Sequence, residues 1–158
     1  MGAAQLAAAL EGTALGVMMR ESDWLYPVVN LLHLLGLVLL LGAMLFLDLR
    51  LLGLAPRVPL GLLAPWLTGF AVSGLLIQLA SGLALFAADA MALIGNRLLQ
   101  IKLLLVLFGI GNAGLFRWRF SRVLPEWEIV PLPARMQAGL SLCAWLSVMA
   151  AGRLLAYF

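Results

Sequence analysis

The sequence has few charged residues, and this scarcity excludes most soluble folds. Only 11% of its 158 residues are charged, whereas typical soluble domains have about 25%. Hydrophobic residues make up 65% of the chain, and the mean hydropathy is +1.10. A composition this apolar is typical of an integral membrane protein.

Cysteine and histidine are also nearly absent, with one residue of each, Cys143 and His33. A single cysteine excludes an intramolecular disulfide and any cysteine-based metal cluster. The net charge of +3 and the pI near 9.8 come from short basic clusters between apolar runs, without a long basic stripe or a recognition motif. We therefore expect no nucleic acid partner and interpret the positive charge as a membrane-topology signal.

Four apolar runs are long enough to cross a bilayer, which takes about 20 residues each. They cover residues 25–54, 60–88, 98–116 and 134–157. Short connections make consecutive spans antiparallel neighbours, so the pattern predicts an all-α, four-helix up-down bundle in a single membrane domain, residues 1–158. Residues 1–22 are too interrupted to span and are predicted to form an amphipathic, interfacial helix at the periphery.

The distribution of basic residues predicts the orientation of the spans. An even number of spans places both termini on one side of the membrane. The first and third connectors have more basic residues than the other side, and the positive-inside rule places them in the cytoplasm. Both termini are therefore predicted to face outward. The basic residues of these connectors are Arg50, Arg57, Arg117, Arg119, Arg122 and Arg135.

Two ionisable residues, His33 and Asp48, lie within the first predicted span. Helical geometry brings them to the same side of that helix at different depths. This side should face the protein, because an ionisable group facing lipid is costly. Asp48 then needs a partner from another span, and Asn112 of the third span lies at a similar depth. We predict an Asp48–Asn112 hydrogen bond, with Arg50 extending to the inner headgroups.

Other polar and small residues in the spans complete the set of candidates. Gln78 and Ser81 share a small-and-polar stripe on the second span, which allows close helix approach and hydrogen bonding between helices. The candidates for a buried polar or ligand-binding role are His33, Asp48, Asn112, Gln78, Ser81, Lys102 and Arg153. The glycines predicted to mediate helix packing are Gly36, Gly42, Gly74, Gly82 and Gly109.

The positions of these residues resemble a family of uncharacterised four-span bacterial membrane proteins. The resemblance covers nearly the whole chain and implies a location in the bacterial inner, cytoplasmic membrane, without an established activity. The His-x-x-Gly start of the first long helix also resembles spans of copper-resistance D-type proteins and b-type cytochromes. The family resemblance rests on His33, Gly36, Gly42, Asp48, Arg50 and Gly53, on Trp-Leu-Tyr-Pro at 24–27, on Lys102 and Asn112, and on Ala-Gly-Arg-Leu at 151–154.

Three functions are compatible with this pattern. In the first, a homo-oligomeric bundle among membrane lipids binds or passes a small ion or polar solute, as a transporter or channel would, through its buried polar groups. In the second, His33, the only candidate metal ligand, binds haem or copper with a further ligand from Met91, Met149 or a second protomer. In the third, the bundle is a purely structural membrane subunit and His33 serves packing.

An enzymatic role is disfavoured. The sequence has no His-Glu-x-x-His motif, and no serine or cysteine lies at a convincing depth beside His33. We expect no cofactor unless the haem or copper hypothesis holds. If the surroundings of His33 are hydrated, this residue would sense protons, because an unperturbed imidazole titrates at about pH 6.5. Replacing it with Gln would then remove a pH response between about 5 and 8.

Overall fold

A computed structural model describes residues 2–155 and residue 157, and this part of the chain is helical with short connections. The all-α class predicted from the sequence is confirmed. A single 3-10 turn, Leu124–Glu126, lies in the connector between α6 and α7. The helices are α1 (Ala3–Glu11), α2 (Ala14–Glu21), α3 (Leu25–Leu52), α4 (Leu60–Ala88), α5 (Ala90–Leu93), α6 (Arg97–Phe120) and α7 (Leu132–Leu154).

Three of the described helices, α3, α4 and α6, are long and apolar enough to cross a membrane. They contain 28, 29 and 24 residues, so that even the shortest is about 36 Å long. The fourth long helix, α7, has 23 residues and is not among these three. Length and hydropathy therefore select three spans, whereas the sequence analysis counted four.

The long helices pack as antiparallel neighbours in the spatial order α4–α3–α7–α6. Two apolar clusters hold them together. One is central and includes Leu40 and Trp145, and the other includes Leu51 and Ala134. The second cluster lies beside the connectors 53–59 and 121–131, and we call this end of the helices the connector end. Because α4 packs on α3 and α6 packs on α7, α4 and α6 face each other across a cavity.

The connector between α3 and α4 is held by a buried arginine. Gly53 ends α3 in the left-handed conformation, with φ of +111°, which glycine adopts without strain. Arg50, 6% exposed, donates hydrogen bonds to the carbonyl oxygens of Val58 at 2.8 Å and Pro56 at 2.9 Å. The prediction that Arg50 extends to the headgroups is wrong, because its guanidinium group satisfies the turn of its own connector.

The N-terminal segment differs from the single interfacial helix predicted for residues 1–22. It forms two helices, because Gly12 favours a break and the side chain of Thr13 caps α2 by accepting a hydrogen bond from the amide of Gly16 at 3.3 Å. Both helices pack on the protein, against α4 and α5. Arg20 fixes them there by donating to the carbonyl oxygens of Ala88 at 3.1 Å and Glu11 at 2.8 Å.

Candidate functional site

One group of polar side chains lies between α3 and α4, and all of its members are hydrogen-bonded. The amide of Gln78 donates to the carbonyl oxygen of His33 at 2.5 Å, and Nδ1 of His33 lies 2.9 Å from Oγ of Ser81. The Ser81 hydroxyl donates its one proton within α4, to the carbonyl oxygen of Ile77 at 2.5 Å. Nδ1 of His33 must therefore be the donor towards Ser81. The expectation that no serine lies at a convincing depth beside His33 is thus wrong for Ser81, although this serine donates its proton to α4 and not to the imidazole. We call His33, Gln78 and Ser81 the polar seam.

Close contact between α3 and α4 depends on glycine at two facing positions. A methyl group added to Gly74 would lie 2.5 Å from the backbone nitrogen of Leu40, and one added to Gly36 would lie 2.9 Å from the carbonyl oxygen of Gly74. Gly82 makes room for the imidazole of His33, whose Cε1 would be 3.2 Å from such a methyl group. The polar seam thus continues a backbone-to-backbone contact between the helices.

The other two glycines predicted to mediate packing differ from each other. A methyl group added to Gly109 of α6 would lie 2.9 Å from the indole of Trp145 on α7, so this glycine lies at a helix contact. A methyl group added to Gly42 would meet no atom within 4 Å. Gly42 thus lies on a side of α3 that no described helix covers at that position, and its predicted packing role stays a prediction.

A cavity of about 590 Å³ lies between α4 and α6, and α3 and α7 form its floor. This volume is within the range of sites for small molecules. Two residues at its edge, Val72 and Ile110, are 50% and 36% exposed, so the cavity reaches the surface between α4 and α6. The lining is mostly apolar and includes Leu40, Met44, Leu47, Leu75, Ile110 and Phe116.

Three buried residues on the floor of this cavity each have a polar atom without a hydrogen-bond partner. Asp48 of α3 and Ser141 and Trp145 of α7 are each 3% exposed and line the cavity. Within the described part of the chain, no group hydrogen-bonds to Oδ2 of Asp48, Oγ of Ser141 or Nε1 of Trp145. Each such group costs about 1–3 kcal/mol when buried without a partner. We call Asp48, Ser141 and Trp145 the buried polar trio.

Asn112 also lines the cavity, but its side chain is bonded to α7. Its amide donates to the carbonyl oxygen of Gln137 at 3.2 Å, and the amide of Gln137 donates to the carbonyl oxygen of Asn112 at 3.0 Å. The predicted Asp48–Asn112 hydrogen bond is therefore wrong. The physical reason is that α6 packs on α7 and not on α3, so that the polar groups of α6 meet those of α7.

The remaining candidates lie near the opposite end of the helices. Nζ of Lys102 lies over Gly152 of α7, 3.2 Å from the position of an added methyl group. Arg153 donates to the hydroxyl of Tyr157 at 2.6 Å and lies over its ring. Neither residue lines the cavity, and neither does any member of the polar seam. Of the residues predicted as ligand-binding candidates, the cavity brings together Asp48 and Asn112.

Two residues of the buried polar trio, Ser141 and Trp145, were missed in the sequence analysis. A signal for them exists, because Gln137, Ser141 and Trp145 follow one another at intervals of four on α7. This spacing places three polar groups on one face of a helix.

No group of three or more His, Cys, Asp or Glu side chains that could hold a metal ion occurs among the described residues. The haem or copper hypothesis stays a prediction.

Among known proteins, the chain is similar to a family whose function is unknown. No curated protein and no solved structure matches the sequence. A model of a family of unknown function, DUF6644, matches residues 10–158, which is nearly the whole chain. The sequence expectation of an uncharacterised family agrees with this match, which itself shows neither a bacterial origin nor a number of spans. The chain belongs to the DUF6644 family, a family of unknown function.

Proposed function

We propose that this protein is a membrane-embedded receptor that binds a small amphipathic molecule in the cavity between α4 and α6. The observation that carries the proposal is the buried polar trio, three polar atoms without partners among the described residues, beside a mostly apolar cavity. Buried polar atoms in native proteins are nearly always hydrogen-bonded, so a cluster of exceptions in one cavity favours a ligand that completes them.

The chemistry of the trio limits the polar group of this ligand. The indole N–H of Trp145 can only donate, so the ligand must offer an acceptor. In its charged form the carboxyl group of Asp48 has an unpaired oxygen that takes a donor, and the hydroxyl of Ser141 can take either role. A bare metal cation would leave Trp145 unpaired, and an acceptor-only group would leave a charged Asp48 unpaired. A hydroxyl, a primary amide or a carboxylic acid on an apolar body has both the donor and the acceptor that these three residues require.

The membrane arrangement that we propose has four spans, α3, α4, α6 and α7. In support of α7, its 23 residues give a length of about 34 Å, which is enough to cross the hydrocarbon core. The helix is also packed between α3 and α6. Bilayer lipids would then surround the opening between α4 and α6, and the ligand would enter sideways from the membrane. The arginines of the connectors favour a cytoplasmic connector end, with both termini outside.

Binding accounts for the polar residues better than passage of an ion does. Permeation requires a continuous polar track, yet the leucines at 37 and 39–41 separate His33 from Asp48 along α3. The polar seam is closed by its own hydrogen bonds and does not line the cavity. A homo-oligomer in the bacterial inner membrane, as expected from the sequence, is compatible with this proposal. A second copy covering the cavity is the principal competing occupant.

The proposal can be tested with n-decanol and decyl methyl ether, which share an apolar chain. Only the alcohol carries a donor as well as an acceptor. The protein would be placed in nanodiscs of phosphatidylcholine, whose headgroup offers no donor, and thermal unfolding would be followed with each compound. We expect n-decanol to raise Tm more than the ether does. The Trp145→Phe variant should bind the alcohol about 3–10-fold more weakly, the usual value of one hydrogen bond.

The matched control is Trp66→Phe, because Trp66 is an exposed residue of α4 that does not line the cavity. This variant should respond to n-decanol as the parent protein does. Equal stabilisation by the alcohol and the ether in all three proteins would contradict the proposal. A cavity filled by a second copy would instead give a concentration-dependent dimer that neither compound stabilises.

A further inference from the structure

The last turns of α6 carry a second polar surface, at the connector end and separate from the buried polar trio. It is a shallow groove of about 970 Å³. Three of its residues are arginines, and the side chain of Trp118 is 82% exposed. We call this surface the arginine groove. Its residues are Gly114, Leu115, Arg117, Trp118, Arg119, Ser121 and Arg122.

The polar groups of the arginine groove are suited to an anion with several oxygen atoms. Each guanidinium group offers a planar set of donors that matches the oxygens of a phosphate, and the hydroxyl of Ser121 adds a further donor. None of the described residues that line the groove is acidic. The two carboxylates nearest in sequence, Glu126 and Glu128, follow in the connector and lie outside the lining.

The apolar part of the groove favours a lipid over a free anion. The indole of Trp118 and the half-exposed side chain of Leu115 lie beside the arginines. Exposed tryptophan at the end of a membrane-length helix is typical of the level of the headgroups, where one part of the ring contacts acyl chains. Cations next to such a surface would hold a phosphate whose chains continue into the bilayer.

The arginine groove is continuous with the cavity between α4 and α6. Gly114, Arg117 and Ser121 line both of them. We propose that the arginine groove binds the phosphate headgroup of an anionic phospholipid at the connector-end edge of the cavity. This site goes beyond the proposed function, because it recognises a charged headgroup and does not depend on which molecule satisfies the buried polar trio.

The test compares lipid retention by two double variants. The protein would be purified in detergent with equal amounts of phosphatidylglycerol and phosphatidylcholine of the same acyl chains, and the retained lipids would be counted by native mass spectrometry. We expect the parent protein to prefer phosphatidylglycerol. Arg117→Gln combined with Arg122→Gln should reduce this preference by about tenfold or more. Arg57→Gln combined with Arg135→Gln removes the same charge at the same end, outside the groove, and should leave the preference unchanged.

Two further arms complete the test. Replacing the same two groove arginines with lysine keeps the charge and loses the planar donors, so the preference should fall only in part. If the glutamine variant fails to fold, the lysine variant takes its place in the comparison of lipid preference. Inorganic phosphate would be compared with chloride at equal ionic strength. It should not displace the lipid, because the acyl chains contribute to binding. Displacement by phosphate would identify a site for free phosphate instead. Equal retention of both lipids by the parent protein, or equal losses in both glutamine variants, would overturn the proposal.

Discussion

The polar seam between α3 and α4 and the buried polar trio on α3 and α7 use similar side chains, yet they differ in one property. In the seam, His33, Gln78 and Ser81 bond to one another or to helix carbonyls. In the trio, three atoms remain without partners around a cavity. The role of a polar residue in an apolar helix therefore does not follow from its residue type alone. Its partners decide whether it stabilises the packing of helices or is available to a ligand.

The largest contrast is expected for replacing a polar residue with leucine in each region. Gln78→Leu should lower the free energy of unfolding by about 1–3 kcal/mol. The carbonyl oxygen of His33 loses a hydrogen-bond donor, and the branched leucine side chain crowds α3. Asp48→Leu should raise the free energy of unfolding of the ligand-free protein by a similar amount, because it removes an unpaired buried carboxyl group. Thermal unfolding in the same nanodiscs measures both. Destabilisation by Asp48→Leu would show that Asp48 has a partner within the protein.

A second contrast uses two glycines of α3 and α4. Gly74→Ala should destabilise the protein by about 1–3 kcal/mol, because the new methyl group would lie 2.5 Å from the backbone of Leu40. Gly42→Ala makes the same chemical change where no atom of the described residues lies within 4 Å. It should be neutral or slightly stabilising, since alanine favours the helix. Equal effects of the two variants on Tm would contradict the close packing of α3 on α4.

The smallest effect is expected for the response of ligand binding to pH. His33 does not line the cavity, so His33→Gln should leave the stabilisation by n-decanol unchanged between about pH 5 and pH 8. This expectation replaces the proton-sensing hypothesis that the sequence alone suggested. Titration of decanol binding at several pH values in both proteins checks it. A pH-dependent response that disappears in the variant would restore a functional role to His33.

The sequence predicts the long helices well because three of them are apolar over most of their length. The apolar run at 60–88 has the bounds of α4, and the run at 25–54 exceeds α3 only where Gly53 forces a left-handed turn. The break at Gly12 and Thr13 was missed, although a glycine followed by a capping residue is a local signal. Local patterns therefore predict the bounds of α3 and α4 closely, whereas the runs at 98–116 and 134–157 differ from α6 and α7 by up to four residues at one end, and α5 was not predicted.

The composition of the cavity could not be predicted in the same way. Asp48 was identified as needing a partner, but the choice of Asn112 assumed that the first and third spans are neighbours. Which helices touch depends on the rotation and order of the helices, and neither is contained in the hydropathy of one helix. The pairing of Asn112 with Gln137 follows only from α6 lying against α7. The unpaired atoms of Ser141 and Trp145 likewise depend on α4 and α6 lying on opposite sides of the cavity, which no local pattern predicts.

The central claim is tested most directly by one matched pair, Ser81→Ala and Ser141→Ala, each measured in nanodiscs with and without n-decanol. Ser81→Ala should lower Tm, because Nδ1 of His33 loses its acceptor, and it should keep the stabilisation by n-decanol. Ser141→Ala should leave Tm unchanged or slightly raised without the alcohol and should lose much of the stabilisation. If Ser141→Ala lowers Tm and keeps the full response to n-decanol, the trio serves packing and the proposed binding site is wrong.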